Sequence, residues 1–318
     1  MKHTLKLGIT LLALHFSGLA LAGGEGWSSD FAASQKEAAE TKKDLLIDFT
    51  GSDWCGWCIK LKEEVFSHDE FKAGVKDQFV LVELDYPRDK SKLSGETIKQ
   101  NEELGEKYQV RGYPTILLTD AEGRPFAITG YQPGGPEAYV KHLEELRAQK
   151  SARDEAFEKA EKTEGVEKAK ALVAALGAMG LNDAMVSNFY GGVVEQIKVA
   201  DPQDETGFMK AEAAKLRIAK FQADLNAFGQ KQDFDGALAH VDKTLAEGGF
   251  EAEETQQMMM TRAAILAQQR KFDEAIKAVD EAKAIAPESK LIEGIDGFKK
   301  RLESEKEKAG TAEPAAAE

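Results

Sequence analysis

The two cysteines of this 318-residue chain, Cys55 and Cys58, lie three positions apart. They sit within Gly51-Ser52-Asp53-Trp54-Cys55-Gly56-Trp57-Cys58-Ile59-Lys60-Leu61. Before them, Leu45-Leu46-Ile47-Asp48-Phe49 reads as a short buried strand, and after them Cys58, Leu61 and Val65 recur at helical spacing. A Cys-x-x-Cys between a strand and a helix in an α/β pattern is the redox-dithiol arrangement, with half of a zinc site or an inert pair as the alternatives. Unpaired backbone N–H groups and the helix dipole favour a thiolate at the helix start. Cys55 is therefore the expected nucleophile, with a pKa below the free value of about 8.5. Cys58, one turn on, is placed to attack a mixed disulfide formed at Cys55.

The chain around this junction alternates strand and helix. A flexible lead is expected over 23–29, an amphipathic helix over 31–42, the first central strand over 45–49 and the dithiol helix over 55–66. Ser67-x-x-Glu70 reads as a capping box for a short helix. A strand follows over 79–85, then a polar and basic insertion over 86–95 and a helix to about residue 108. A strand over 115–119, a turn at Ala121-Glu122-Gly123-Arg124 and a returning strand over 126–129 form a hairpin. A last helix is expected to end near residue 149.

Trp54-Cys55-Gly56-Trp57-Cys58 together with Gly112-Tyr113-Pro114-Thr115 resembles the thioredoxin superfamily, over roughly residues 27–148. The wider string from Asp48 to Cys55 is more similar to its periplasmic and secreted branch. The resemblance implies a central mixed sheet flanked by helices and thiol–disulfide exchange on protein substrates. It implies Trp54 packed beside the dithiol, with plain core packing as the alternative, and Pro114 in a cis-proline loop facing the sulfurs. Backbone groups of that loop would pair with an extended substrate, with Tyr113 beside the sulfurs. Gly56-Trp57 replaces the familiar Gly-Pro, a departure that bears on the redox potential. Asp48 resembles the family's buried acid below the second cysteine and would relay the proton of Cys58, although it stands seven positions before Cys55. Asp53 is a competing carboxylate. The lysine that accompanies this acid in thioredoxin has no match, since Leu81 falls at the expected position. Lys60 reads as either a thiolate stabiliser or an exposed helix lysine.

Composition removes other classes. A formal net charge of −14 disfavours nucleic acid and anionic membrane surfaces as partners. The five histidines do not cluster, and no second Cys pair completes a zinc site. The expected redox couple is the cysteine pair itself, with no cofactor and no metal. A three-residue spacing closes almost no loop, so a disulfide there adds little stability and chemistry explains the pair better. Residues 1–22 have the pattern of an export signal: Lys2 and Lys6, an apolar run, and Ala20-Leu21-Ala22 before Gly23. Cleavage after Ala22 and a periplasmic or secreted location are expected, with an uncleaved anchor as the alternative.

From residue 151 strand signals vanish, and an all-α domain is expected over 151–302. Phe272-Asp273-Glu274-Ala275-Ile276 echoes Phe234-Asp235-Gly236-Ala237-Leu238, 38 positions earlier. Ala263, Leu266, Phe272, Ala275, Val279, Ala282 and Pro287 resemble the spacing of a tetratricopeptide repeat. Val166-Glu167-Lys168-Ala169 reads as a decayed third copy, and a generic array of helical hairpins remains the alternative. Met258-Met259-Met260 points around a helix and reads as core. Residues 303–318 are expected to be a disordered tail.

The functional expectation is a thiol–disulfide oxidoreductase, in the reductase or isomerase direction, fed by a membrane thiol donor. The rival is a non-catalytic binding module in which the helical repeats recruit a protein partner.

Overall fold

The structure is a computed structural model, and it describes residues 26–311. The chain divides into two compact units, with the boundary between Thr206 and Gly207.

The first unit is built on a five-stranded mixed sheet in the order β1-β3-β2-β4-β5. Its strands are β1 (Trp27–Ser28), β2 (Asp44–Thr50), β3 (Phe79–Asp85), β4 (Thr115–Thr119) and β5 (Pro125–Thr129). β1 and β2 run parallel to β3, while β4 runs antiparallel to β2 and to β5. Residues 27 and 28 thus belong to the sheet, although a flexible lead is expected there. Trp27 is responsible, because it is buried with its ring 4.9 Å from Phe66 and stacked on Phe71.

Strand alternation splits β2 between two cores. Leu45, Ile47 and Phe49 join Val80, Val82, Leu84 and Leu117 beneath α1 (Phe31–Thr41) and α4 (Gly95–Lys107). Leu46, Asp48 and Thr50 take the opposite face. The dithiol helix begins as α2 (Gly56–Leu61) and widens into a π-helical turn over Lys62–Phe66. That turn leaves the Lys62 carbonyl to accept from both Ser67 N and Ser67 Oγ, at 3.0 and 2.8 Å. Ser67 is therefore unavailable as a cap. The expected Ser67–Glu70 box does not form, and α3 (Asp69–Val75) starts at His68 without a side-chain cap.

The helix expected to end near 149 runs unbroken as α5 (Gly135–Glu161). It is followed by α6 (Gly165–Ala178) and α7 (Asp183–Ala200). These helices pack with the sheet, so the compact unit extends past the composition change at 150. Buried Arg153 donates to Asp120 at 3.4 Å and to the Tyr190 hydroxyl at 3.0 Å. Tyr190 in turn donates to the Pro125 carbonyl at 2.8 Å. Phe189 stacks on Tyr108 at 4.8 Å, and Met185 joins the core beneath α1 and α4.

The second unit comprises α8 (Phe208–Gln230), α9 (Phe234–Glu247), α10 (Ala252–Gln268), α11 (Phe272–Ile285) and α12 (Ile292–Thr311). The echoed segments fold alike: Phe234 and Phe272 each open a helix, and Gln232 and Arg270 two residues before them both have positive φ. Ala263, Leu266, Ala275, Val279 and Ala282 share one core, with Phe272 packed against it. Met258 and Met259 enter two different clusters, as side chains pointing around a helix must. Residues 303–311, expected to be disordered, continue α12, whose Leu302 is buried and whose Lys306 pairs with Asp273. Residues 312–318 lie outside the described residues, as do the expected export signal and its cleavage after Ala22.

Candidate active site

The loop from Gly51 to Trp54 carries the chain from β2 to the dithiol and is tied at both ends. Ser52 donates to Asp85 at the end of β3, through N at 2.9 Å and through Oγ at 2.6 Å. Asp53 accepts from the Arg88 and Asp89 amides at 2.9 and 3.2 Å and pairs with Lys92 at 3.7 Å. Those amide bonds hold its carboxyl below the usual range. Asp53 therefore braces the 86–95 insertion, which includes a 3-10 turn at Lys90–Lys92, and this accounts for it without a proton role.

Cys55 is the N-cap of α2 and is disulfide-bonded to Cys58. The two cysteines are 6% and 4% exposed. The Cys58 amide N–H points at Cys55 Sγ, 3.2 Å away. A donor in that position stabilises negative charge on Cys55 once the bond is reduced.

Aromatic side chains form the rim. Trp54 donates from Nε1 to the Tyr86 carbonyl at 2.8 Å and meets the Tyr113 ring edge-on at 5.5 Å. Tyr113 also contacts Tyr86 at 5.3 Å, and Arg88 lies over the Trp54 ring. Trp54 is 38% exposed, so it lines the surface rather than filling the core. Gly51 is required beneath it, since a Cβ there would sit 2.6 Å from the indole. The Tyr113–Pro114 peptide is cis, and both residues are half-buried. On the other side, Trp57 is exposed and packs against Tyr131 at 5.1 Å. Tyr131 donates to Glu64 at 2.6 Å, and the Lys60 ammonium lies 5.3 and 5.0 Å from the Trp57 and Tyr131 ring centres. Lys60 lies along the rim with its side chain 45% exposed and pairs with Glu64 at 3.7 Å. Gly56, exposed at the start of α2, has open space where a Cβ would go. Beyond the cis-proline loop, a groove of about 510 Å³ is lined by Arg111, Gly112, Thr115, Ile128, Asn182 and Met185.

Asp48 is buried in β2, and its Oδ1 has no hydrogen-bond partner among the described residues. Burial pushes its carboxyl well above the usual range; Glu83 adds to the rise and Lys62 opposes it. Glu83 is the residue directly opposite Asp48 in the parallel β2–β3 pairing. It is 8% exposed, and Lys62 from the π turn reaches it at 3.3 Å. Leu81, placed by sequence beside the acid, instead pairs with Leu46 and Trp27. The accompanying cation is Lys62. The signal for this missed pair was a glutamate inside the apolar run of a central strand, where a charge demands a partner. Among the described residues, no cluster of three or more His, Cys, Asp or Glu is placed to hold a metal ion. No helix among them is long and apolar enough to cross a membrane.

Comparison with known proteins gives this geometry a lineage. Residues 31–147 match the thioredoxin-like domain family. Over 117 residues the chain is 37% identical to the disulfide bond reductase DsbH of Chlamydia pneumoniae, covering 37% of this chain and 69% of that protein. Over 112 residues it is 32% identical to the thiol:disulfide interchange protein DsbD of Vibrio vulnificus, covering 34% of this chain and 17% of that protein. A solved DsbH oxidoreductase aligns with a TM-score of 0.36 at 31% identity, over 44% of this chain and 94% of the other. Identity at that level across more than two thirds of DsbH marks common descent, and the chain belongs to the thioredoxin-like family as a thiol–disulfide oxidoreductase.

Proposed function

We propose that the chain reduces or isomerises disulfides in exported proteins. In the reductive direction, the Cys55 thiolate attacks one sulfur of a substrate disulfide and releases the other as a thiolate, which takes a proton. Cys58 then gives its proton to a base and attacks Cys55 Sγ. The intermolecular bond breaks, the second substrate thiol leaves, and two electrons have passed from the dithiol to the substrate. The observation that carries this reading is the Cys58 amide aimed at Cys55 Sγ at the start of α2. It favours Cys55 as the attacking and leaving sulfur. The open aromatic rim and the groove beside Pro114 suit a polypeptide better than an enclosed small molecule. The name of the related disulfide bond reductase DsbH supports the reductive direction.

Reductive turnover outside the cytosol needs an electron source, and a membrane thiol relay would supply it. Export rests on the residue 1–22 pattern. The repeated helix starts at Phe234 and Phe272 favour a protein partner for the second unit.

The test is the reduction potential of the Cys55–Cys58 pair, equilibrated against glutathione in protein beginning at Gly23. A value near −270 mV supports a reductase, and one near −120 mV a disulfide-forming oxidant. A pair that does not cycle refutes the reading.

A further inference from the structure

Resting on the assignment of Asp48 as the base for Cys58, we propose that Glu83, held in place by Lys62, is a positioning residue that sets the proton affinity of Asp48. It would thereby set the pH at which the mixed disulfide resolves.

The geometry places two carboxylates side by side in adjacent central strands. Asp48 and Glu83 are register partners, 5% and 8% exposed. Like charges so close and so poorly solvated disfavour simultaneous ionisation. Lys62 decides which carboxylate stays charged. Its ammonium lies 3.3 Å from Glu83 Oε2, while its side chain remains 47% exposed at the surface end of the site. Asp48 Oδ1 has no hydrogen-bond partner among the described residues. Burial raises the Glu83 carboxyl as well, but Lys62 opposes that rise by charge and by a hydrogen bond. Glu83 is therefore the more readily ionised member, and Asp48 the one that holds a proton to higher pH. The other titratable groups facing the pair are Asp85, further along β3, and Tyr139 from α5, whose hydroxyl is itself held protonated by burial.

An ordinary aspartate, with a pKa near 3.9, is a poor acceptor for a thiol proton near 8.5. Burial brings Asp48 toward the thiol, and the neighbouring Glu83 charge brings it closer. Matching the two affinities makes transfer from Cys58 to Asp48 effective near neutral pH. The proton then moves from Cys58 Sγ to the Asp48 carboxylate, the Cys58 thiolate attacks Cys55 Sγ, and the substrate thiolate leaves. Glu83 stays charged throughout. The pair titrates as a coupled unit.

The experiment mixes reduced full-length protein with Ellman's disulfide and follows the second, unimolecular release of nitrothiobenzoate against pH. The wild-type rate should show an inflection above the ordinary carboxylate range. Glu83→Gln removes the like charge and leaves Lys62 acting on Asp48 alone, so the inflection should fall by about 1 pH unit. Asp48→Asn should abolish it, and the double variant should match Asp48→Asn. An unmoved inflection in Glu83→Gln overturns the proposal, as does a double variant whose pH profile differs from that of Asp48→Asn. An inflection that survives in Asp48→Asn overturns the assignment of Asp48 itself. Carboxyl NMR titration of the reduced wild type needs no variant to fold. Coupled titrations of Asp48 and Glu83 support the proposal, and two independent single-site curves overturn it.

Discussion

Replacing Arg153 with methionine should destabilise the sheet that carries the dithiol, although Arg153 lies beyond the family match ending at residue 147. Its guanidinium is buried, donating to Asp120, Asp154 and the Tyr190 hydroxyl. Breaking a buried ion pair costs about 3–5 kcal/mol when it strands a charge. Asp120 keeps Arg124 at 2.9 Å, and Tyr190 keeps the Pro125 carbonyl at 2.8 Å. These surviving partners place the cost at the lower end, about 3 kcal/mol. With an m-value of about 2 kcal/mol/M, the urea midpoint should fall by about 1.5 M. The three tryptophans, Trp27, Trp54 and Trp57, all lie in the sheet and dithiol region, so fluorescence reports that transition selectively. If the helices after residue 150 formed an energetically separate domain, the substitution would leave the fluorescence transition unmoved, and a shift below about 0.3 M would show that they do.

Burial raises the Asp48 carboxyl, so the folded chain holds this proton to higher pH than the unfolded chain. The associated stability is present at low pH and is lost as pH rises from about 4 through the raised value. Asp48→Asn should therefore gain on wild type in melting temperature as pH increases across that window, and an equal difference at both ends would contradict the sign. Gly51→Ala should push the indole of Trp54 off the Tyr86 carbonyl at a cost of about 1–2 kcal/mol, with a shifted emission spectrum and lower kcat/KM on protein disulfides. Unchanged emission would contradict it. In the second unit, Gln256 is buried and donates to the Ala282 and Ala286 carbonyls while accepting from Ser289. Gln256→Leu should cost that unit about 2–3 kcal/mol in thermal unfolding followed by far-UV circular dichroism, and a neutral effect would show those carbonyls to be satisfied otherwise.

The elements around the dithiol were legible because each carries a local signature. The buried run at β2, the helical spacing from Cys58 to Val65 and the turn at Ala121–Arg124 all specify themselves within a few residues. Trp54 and Pro114 were legible through resemblance. Of the Glu83–Lys62 pair only the glutamate leaves a local signal, a charge inside an apolar strand; its juxtaposition with Asp48 depends on the β2–β3 register and its partner on a π turn, neither of which leaves a local pattern. The same holds for Trp27, whose burial comes from Phe66 and Phe71 far along the chain. The extension of the first unit to Thr206 was hidden because helices that dock on a sheet and helices that stack on one another have the same composition. Arg153, Tyr190 and Phe189 are the contacts that distinguish them, and each reads in sequence as an ordinary helix residue.

Exchange through a mixed disulfide at Cys55 that Cys58 resolves is the proposed chemistry, and it can be trapped. The most direct measurement is to incubate reduced Cys58→Ser protein with a disulfide-bearing protein substrate and map the covalent adduct by mass spectrometry. An adduct linked through Cys55 should persist in Cys58→Ser and be resolved in wild type. No adduct at Cys55, or equal exchange by a Cys55→Ser variant through Cys58, would contradict it.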